Sequence, residues 1–318
     1  KMKKNDHYWD KEHVKLNEID VQVVKEIGTG ANLFDNGDLD YTVLADTYAL
    51  QYKESKQAHF VPKAMVGYLS PNHRREITGN EHVRKAFLQA IDKETFAKEI
   101  LGDGSTALNG FVPANFAKNP DTGEDFRKEN GDLLPYNIKE AQANWTKAKE
   151  ELGKDKIELE LISADSAIAK KTIEFVQGQL QQNLPGLTIK LKSLPLQNRL
   201  DLQTAGNYDL AFGTWTPDYA DPINFLEFYD SKSGLNTSGY NDSAYDAGLQ
   251  KVRKDYANEP EKRWNELLSL EKTLIEKDAG VLPLFQGAIG YLKSDRLQGL
   301  QVFSFGRTVS YRLAYVEE

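Results

Sequence analysis

Residues 157–212 read IELELISADSAIAKKTIEFVQGQLQQNLPGLTIKLKSLPLQNRLDLQTAGNYDLAF, and the apolar positions in this stretch change period four times. Ile157, Leu159 and Leu161 recur at every second residue, the period of a strand with one apolar face. From Ile168 the steps become helical, through Thr172, Phe175, Val176 and Leu180, until Pro185-Gly186 breaks them. Leu187, Ile189 and Leu191 alternate again, a short helix over residues 196–202 ends near Gly206, and Tyr208 to Phe212 supply a third apolar strand. This β-α-β-α-β order predicts an α/β fold with a mainly parallel sheet, helices on its faces and right-handed crossovers. On open sheets of that kind ligands gather beyond the carboxyl ends of the strands, so the residues after Phe212 are where a site is expected.

The flanks extend the pattern. Asn137 followed by Glu140 is a helix start, Ile138, Ala141, Trp145, Ala148 and Leu152 form one stripe, and Gly153 closes it. Val83, Phe87, Ala90 and Ile91 predict an amphipathic helix over 82–91, and Asp92 caps a second one carrying Phe96, Ile100 and Leu101 up to Gly102. Residues 102–136 are rich in Gly, Pro, Asn and Asp and read as an irregular excursion without chemistry. Upstream, Ile19, Val21 and Val23 predict a strand and residues 39–44 another, with a short helical stretch between them. Downstream come a helix with Tyr245, Leu249, Val252 and Tyr256, another with Trp264, Leu267, Leu268, Leu274 and Ile275, and a strand-rich tail over 281–316. The aromatic residues on these stripes, Trp145, Trp264 and Tyr256, read as core.

At 318 residues the chain has room for about two domains. Its 40% hydrophobic and 28% charged residues match ordinary water-soluble folds. The 40 Lys and Arg residues are scattered among 48 Asp and Glu, for a net charge of -8, which gives no electrostatic footprint for nucleic acid. The absence of cysteine removes thiol catalysis, cysteine zinc sites and disulfides together. Lys1-Met2-Lys3-Lys4 is basic, but no apolar stretch of an export signal follows and no window approaches the ~18 apolar residues of a membrane span.

Trp215-Thr216-Pro217-Asp218-Tyr219-Ala220-Asp221-Pro222 lies just past the third strand, an aromatic and acidic loop stiffened by two prolines. It reads either as a ligand site or as a surface turn whose carboxylates cap the next helix, and Asp218 with Asp221 is also a candidate carboxylate pair for glycoside hydrolysis. Asn236 followed by Tyr240-Asn241 is a second polar segment, offering amides to a ligand or placing Asn241 as a helix cap. Gly28-Thr29-Gly30 lacks the third glycine of a dinucleotide fingerprint, since Leu33 stands in its place. His7, His13, His59, His73 and His82 have no metal-ligand spacing and read as solvated or hydrogen-bonded side chains. There is no nucleophile elbow and no phosphate-binding loop, so no cofactor is expected and binding is favoured over catalysis.

Several segments together resemble the peptide-binding family of extracytoplasmic solute-binding proteins, the oligopeptide and dipeptide receptors of ABC importers. His7-Tyr8-Trp9-Asp10 is similar to the family's Asn-x-x-Tyr-Trp-Asp segment, and Gly37-Asp38-Leu39-Asp40 to its Gly-Glu-hydrophobic-Asp turn. Val83-Arg84-Lys85-Ala86-Phe87 through Ile91-Asp92-Lys93-Glu94 is similar to its Val-Arg-x-Ala…Ile-Asp-Lys/Arg-Glu helix. Trp215 with residues 218–226 resembles its Trp-x-x-Asp-Tyr-x-Asp-Pro-x-x-Phe-Leu loop, and Asn236, Tyr240-Asn241 and Tyr245-Asp246 its next motif.

The resemblance implies a two-lobe periplasmic-binding-protein-like fold, type II, of the peptide-binding subclass. It implies that the chain matches the carboxyl-terminal three-fifths, with the amino-terminal part of lobe I, the signal and any anchor absent. Residues 1–70 would be partial lobe I and crossover, 71–289 lobe II, and 290–318 return strands. The implied function is an extracytoplasmic receptor, on a bacterial cell surface with a lipid anchor or in a periplasm, monomeric when intact. It would bind extended peptides between the lobes and deliver them to the permease subunits of an ABC importer. By the same resemblance Asp218 pairs with the peptide's α-ammonium group, Trp215 walls that pocket, and Tyr219, Asn236, Tyr240 and Asn241 complete the ligand set. Some relatives carry an arginine shortly before the tryptophan, where this chain has Ala211-Phe212-Gly213. A receptor of the same fold for an oligosaccharide, a haem or a nickel complex is the alternative, and a carboxylate-dependent hydrolase a further one.

Overall fold

Asn137 accepts a hydrogen bond from the Glu140 amide, Gly153 adopts φ 63°, and between them Ile138–Leu152 is helical. Both ends are therefore fixed by local chemistry, an oxygen for an orphan amide and a left-handed residue that only glycine adopts without strain. Ala141, Trp145 and Ala148 are buried, with Trp145 against Phe87 of the helix Glu81–Gln89 at 6.0 Å between ring centres. That second helix starts on Asn80, whose side chain takes the Val83 amide, and Asp92 does the same for Thr95 in the next. Arg84 is buried and donates to the carbonyls of Thr78, Gly79, Asp278 and Ala279, so the arginine of the Val-Arg-x-Ala segment serves the backbone.

The computed structural model describes residues 1–317, and its contacts divide them into two compact units. The first comprises residues 1–63, 97–105 and 287–317 of the described chain, the second 64–96 and 106–286. The main boundaries, 63/64 and 286/287, lie seven and three residues before the expected 70/71 and 289/290, and 97–105 belong to the first unit, which no composition shift marks.

In the first unit the helix Ile27–Asp35 and the strand Tyr41–Leu44 share a small core of Ala31, Phe34, Leu44 and Leu292. Tyr41–Leu44 pairs antiparallel with residues 290–293 of the strand Leu282–Lys293. Gly28 and Gly30 lie inside the helix, against Tyr48 and Thr42, and make no phosphate-binding turn. The expected strand through Ile19, Val21 and Val23 is only Glu18–Ile19, and Val21 and Val23 are exposed. Alternation alone does not make a strand where no sheet face covers its apolar side, and among the described residues none does.

The second unit holds the predicted run. Ile157–Ala164 pairs in parallel with Leu187–Leu194 on one side and Leu210–Trp215 on the other, with the helices Ala167–Asn183 and Leu196–Thr204 as crossovers. The sheet is mixed beyond that point. Residues 66–71 of the strand Ala58–Pro71 run antiparallel to Leu210–Trp215, and Thr106–Ala107 runs antiparallel to Phe285 and Gln286. The excursion over 102–136 is irregular, as read, but it is packed: Phe111, Val112 and Phe126 are fully buried. A single buried carboxylate organises it. Glu271 accepts from the amides of Phe111 and Val112 at 2.7 and 2.8 Å, from Arg127 at 2.7 Å and from Asn130 at 2.6 Å.

Candidate functional site

All six side chains singled out from the sequence lie in the second unit, at the carboxyl end of Leu210–Trp215 and in the segment 236–241. The strand runs three residues past Phe212, so Trp215 is its last member. Trp215 is half-buried, meets the edge of Phe228 at 5.1 Å, and has a buried indole N–H without a hydrogen-bond acceptor. Tyr68, Phe111, Phe225, Phe228 and Tyr229 form a connected layer with it, edge to face except for the tilted Phe228–Tyr229 pair. Such a layer is rigid, because each ring's position is fixed by its neighbours' quadrupoles and shapes.

The loop on this floor is held by every acid except one. Asp221 accepts from the Ile223 amide at 3.0 Å and pairs with Arg263 at 2.9 Å. Glu227 and Asp230 share Arg253, at 3.0 and 2.7 Å, and Glu227 also accepts from the Tyr219 hydroxyl. Burial and that bond to Glu227 push the Tyr219 hydroxyl up to about 12. The buried Asn224 side chain accepts from the Asp218 amide at 3.2 Å, which fixes the backbone of residue 218. The Asp218 carboxylate is exposed and has no hydrogen-bond or ion-pair partner among the described residues. It is thus an uncommitted negative charge on a pinned stretch of backbone, three residues past Trp215.

The two acids suggested as a catalytic pair are unequally committed. Two carboxylates are needed to split a glycosidic bond, and the partner suggested by the sequence, Asp221, is committed to Arg263 and a helix start.

The second segment turns inward. Asn236 donates to the carbonyls of Tyr229, Asp230 and Tyr240 and accepts from Ser238, so its amide is used in holding its own loop. Tyr240 is 4% exposed, and its hydroxyl donates to Asp278 at 2.7 Å; burial and that carboxylate raise its pKa well above the ordinary tyrosine range. Asn241 is exposed and does not cap the helix Ser243–Gln250. Asp242 does, taking the amides of Ala244 and Tyr245, since a helix starting at Ser243 puts its first free amides within reach of residue 242. Of the six, then, Trp215 ends the strand half-buried, Asp218 and Tyr219 are exposed in the loop that follows, Asn241 is exposed, and Asn236 and Tyr240 are turned to their own surroundings.

One charged side chain here escaped the sequence reading. Arg199, on the helix Leu196–Thr204, donates to Gln203 at 2.6 Å and to the Phe212 carbonyl at 3.2 Å. A Cβ on Gly213 would lie 3.1 Å from its guanidinium and 3.4 Å from the Tyr68 hydroxyl. A glycine inside a strand is the signal that could have found it, since it marks a close approach by another group.

Among the described residues no group of three or more His, Asp or Glu side chains is placed to hold a metal ion, and no helix is long and apolar enough to cross a membrane. His73 bonds the Gly280 carbonyl at 3.0 Å, His82 the Asn144 side chain at 3.0 Å, His13 pairs with Asp10, and His59 stacks on Tyr291.

Comparison with known proteins assigns these features to a lineage. Residues 1–237 match the middle portion of the bacterial extracellular solute-binding proteins, family 5. A dipeptide-binding protein of Lactococcus lactis is 31% identical over 325 aligned residues, covering 98% of this chain and 58% of that protein. The solved structure of Listeria monocytogenes OppA bound to peptide is 38% identical and superposes with a TM-score of 0.83 over 99% of this chain and 61% of its own. The substrate-binding domain of an oligopeptide ABC transporter from Bacillus anthracis is 35% identical, with a TM-score of 0.85 over 99% and 62%. The chain therefore spans about three-fifths of the length of the relatives it matches, and the family's fold is the periplasmic-binding-protein-like α/β fold expected from the motifs. On this evidence the chain belongs to family 5 of the bacterial extracellular solute-binding proteins.

Proposed function

We propose that this protein is a peptide receptor of an ABC importer, acting outside the cytoplasm of a bacterium and handing its ligand to membrane permease subunits. In this reading the second unit is the ligand-binding lobe. The observation that carries it is the Asp218 carboxylate: exposed, without a partner among the described residues, on a backbone that Asn224 holds, three residues past Trp215, in a family whose relatives are named for binding dipeptides and oligopeptides. Every peptide with a free amino terminus carries an ammonium group, so one carboxylate recognises the class whatever the side chains. A charge-assisted bond of this kind contributes about 1.5–3 kcal/mol. The protein binds and releases its ligand unchanged, since the loop offers one free carboxylate and no activated nucleophile.

Calorimetry of this 318-residue chain with tri-alanine tests the reading. Asp218→Asn is expected to weaken binding by about tenfold to a hundredfold, and acetylating the peptide's amino terminus should cost a similar factor in the unaltered protein. Mass spectrometry of the peptide after incubation should return it intact. Equal affinities for the two proteins would refute the role of Asp218, and a cleaved peptide would refute the receptor.

A further inference from the structure

Among the described residues Lys93 is the one buried lysine, 2% exposed. Its Nζ meets neutral oxygens, donating to the Asn109 side chain at 2.8 Å and to the Leu108 carbonyl at 3.3 Å. Burial lowers its pKa to about 7, with the Asp132 charge opposing that shift and the Arg127 charge adding to it. A large share of the molecules at neutral pH therefore carry Lys93 as a free amine, and a desolvated free amine is a nucleophile.

Asn109 is held just as firmly. Its side-chain nitrogen donates to Asp132 at 3.2 Å, its carbonyl accepts from the Leu133 amide at 2.8 Å, and the Leu108 amide before it donates to the Leu284 carbonyl at 3.2 Å. On the other side, Lys93 opens the short helix Lys93–Thr95, which Asp92 caps. One carboxamide thus lies between an amine at its oxygen and a carboxylate at its nitrogen. Side-chain amides are inert to amines in dilute solution, but two reactants fixed in contact reach effective concentrations of about 10⁵ M or more when the approach is right.

We propose that Lys93 and Asn109 join in an isopeptide bond, with Asp132 as the group that moves the proton. The unprotonated Lys93 amine attacks Asn109 Cγ; the Nζ–Cγ bond forms and the Cγ–Nδ2 bond breaks. One proton of the attacking nitrogen passes through the Asp132 carboxylate to Nδ2, which leaves as ammonia, so the step consumes no oxidant, reductant or cofactor. Asp132 is exposed and Asn109 half-buried, which gives ammonia a way out while the amine stays dry. The chain leaves the second unit after Phe96 and returns to it at Thr106, and Lys93 and Asn109 stand on the two sides of that departure. The bond closes this passage into a covalent ring and pins residue 109 two positions from Phe111, a member of the aromatic layer at the candidate site.

Mass spectrometry tests it. The intact 318-residue chain should weigh about 17 Da less than its sequence, the mass of one ammonia. Trypsin should release residues 86–98 joined to 99–118 as one branched peptide, with Lys93 uncleaved. Asn109→Ala and Lys93→Met should each show full mass and no branch, and Asp132→Asn should remain mostly unlinked at equal age. A cyclic imide at Asn109-Gly110 loses the same mass but is told apart, because it gives no branched peptide, persists in Lys93→Met, and opens in water to a linear acid about 1 Da heavier than the sequence. The unaltered protein decides the matter whether or not the variants fold: full mass, or a loss of the imide kind, overturns the proposal. Complete linkage in Asp132→Asn overturns the role given to that carboxylate.

Discussion

Replacing Glu271 with leucine should unfasten the floor of the site. The carboxylate is fully buried and its partner Arg127 is 10% exposed, so removal leaves a guanidinium with no counter-charge in a place water does not reach. Breaking a buried pair on one side costs about 3–5 kcal/mol. The amides of Phe111 and Val112 lose their acceptor as well, and each buried orphan donor is worth about 1–3 kcal/mol where solvent cannot replace the bond. Part of that sum is recovered by water entering a loosened loop, so a net loss of about 4 kcal/mol is the expectation. Because the chain has two units and a single unfolding midpoint can mislead, the assay is amide hydrogen exchange at Phe111 and Val112, supported by urea titration. Exchange at these two sites should accelerate by about a thousandfold. Glu150→Gln, on the exposed side of the helix Ile138–Leu152, is the control and should change stability by less than ~0.5 kcal/mol. A loss under ~1 kcal/mol in Glu271→Leu, with exchange unchanged, would refute the claim that this carboxylate holds the excursion in place.

Burial, and next the nearby Arg84 charge, lower the His73 pKa from 6.5 to about 4, so the fold favours the neutral ring. The stability this represents is complete above pH 6.5 and is lost as pH falls from there toward 4, by about 3 kcal/mol in all. Urea midpoints measured between pH 7 and 4 should fall less steeply in His73→Gln than in the unaltered protein, and identical slopes would contradict the assignment. Asp221→Asn breaks a partly exposed pair with Arg263, so it should lower stability by about 1 kcal/mol or less. Asp218→Asn, by contrast, should leave the melting temperature unchanged, and a drop with either variant larger than this would mean that the loop's acids have been given the wrong roles.

Local chemistry was legible in the sequence wherever cause and effect lie within a few residues. Asn137 and Gly153 bound their helix as expected, the alternation at 157–161 and 187–191 made parallel strands, and Thr216 to Pro222 became the loop beyond the third strand, which keeps Trp215. What was hidden depends on partners far along the chain. Which acid of the loop is free follows from Arg263 and Arg253, and neither spacing nor composition says where those side chains go. The antiparallel neighbours of Leu210–Trp215 come from residues 66–71, so the sheet's mixed character was invisible in the β-α-β-α-β run itself. Residues 102–136 looked like solvent loop because their turns are rich in Gly and Asn, yet Glu271 gives their amides the acceptor that a strand would otherwise supply. Asn241 and Asp242 are equally good caps by type, and only the helix register chooses between them.

The arginine of the Val-Arg-x-Ala segment has a consequence for the order in which this molecule comes into being. Arg84 is made early, but two of the four carbonyls that satisfy it belong to Asp278 and Ala279, 194 and 195 residues later. At about 5–20 residues per second, a ribosome takes roughly 10–40 s to supply them. For that interval the helix Glu81–Gln89 carries a cation whose final seat does not exist. The second unit therefore closes in time at the end opposite to where it began, and its last-made turn acts as the latch.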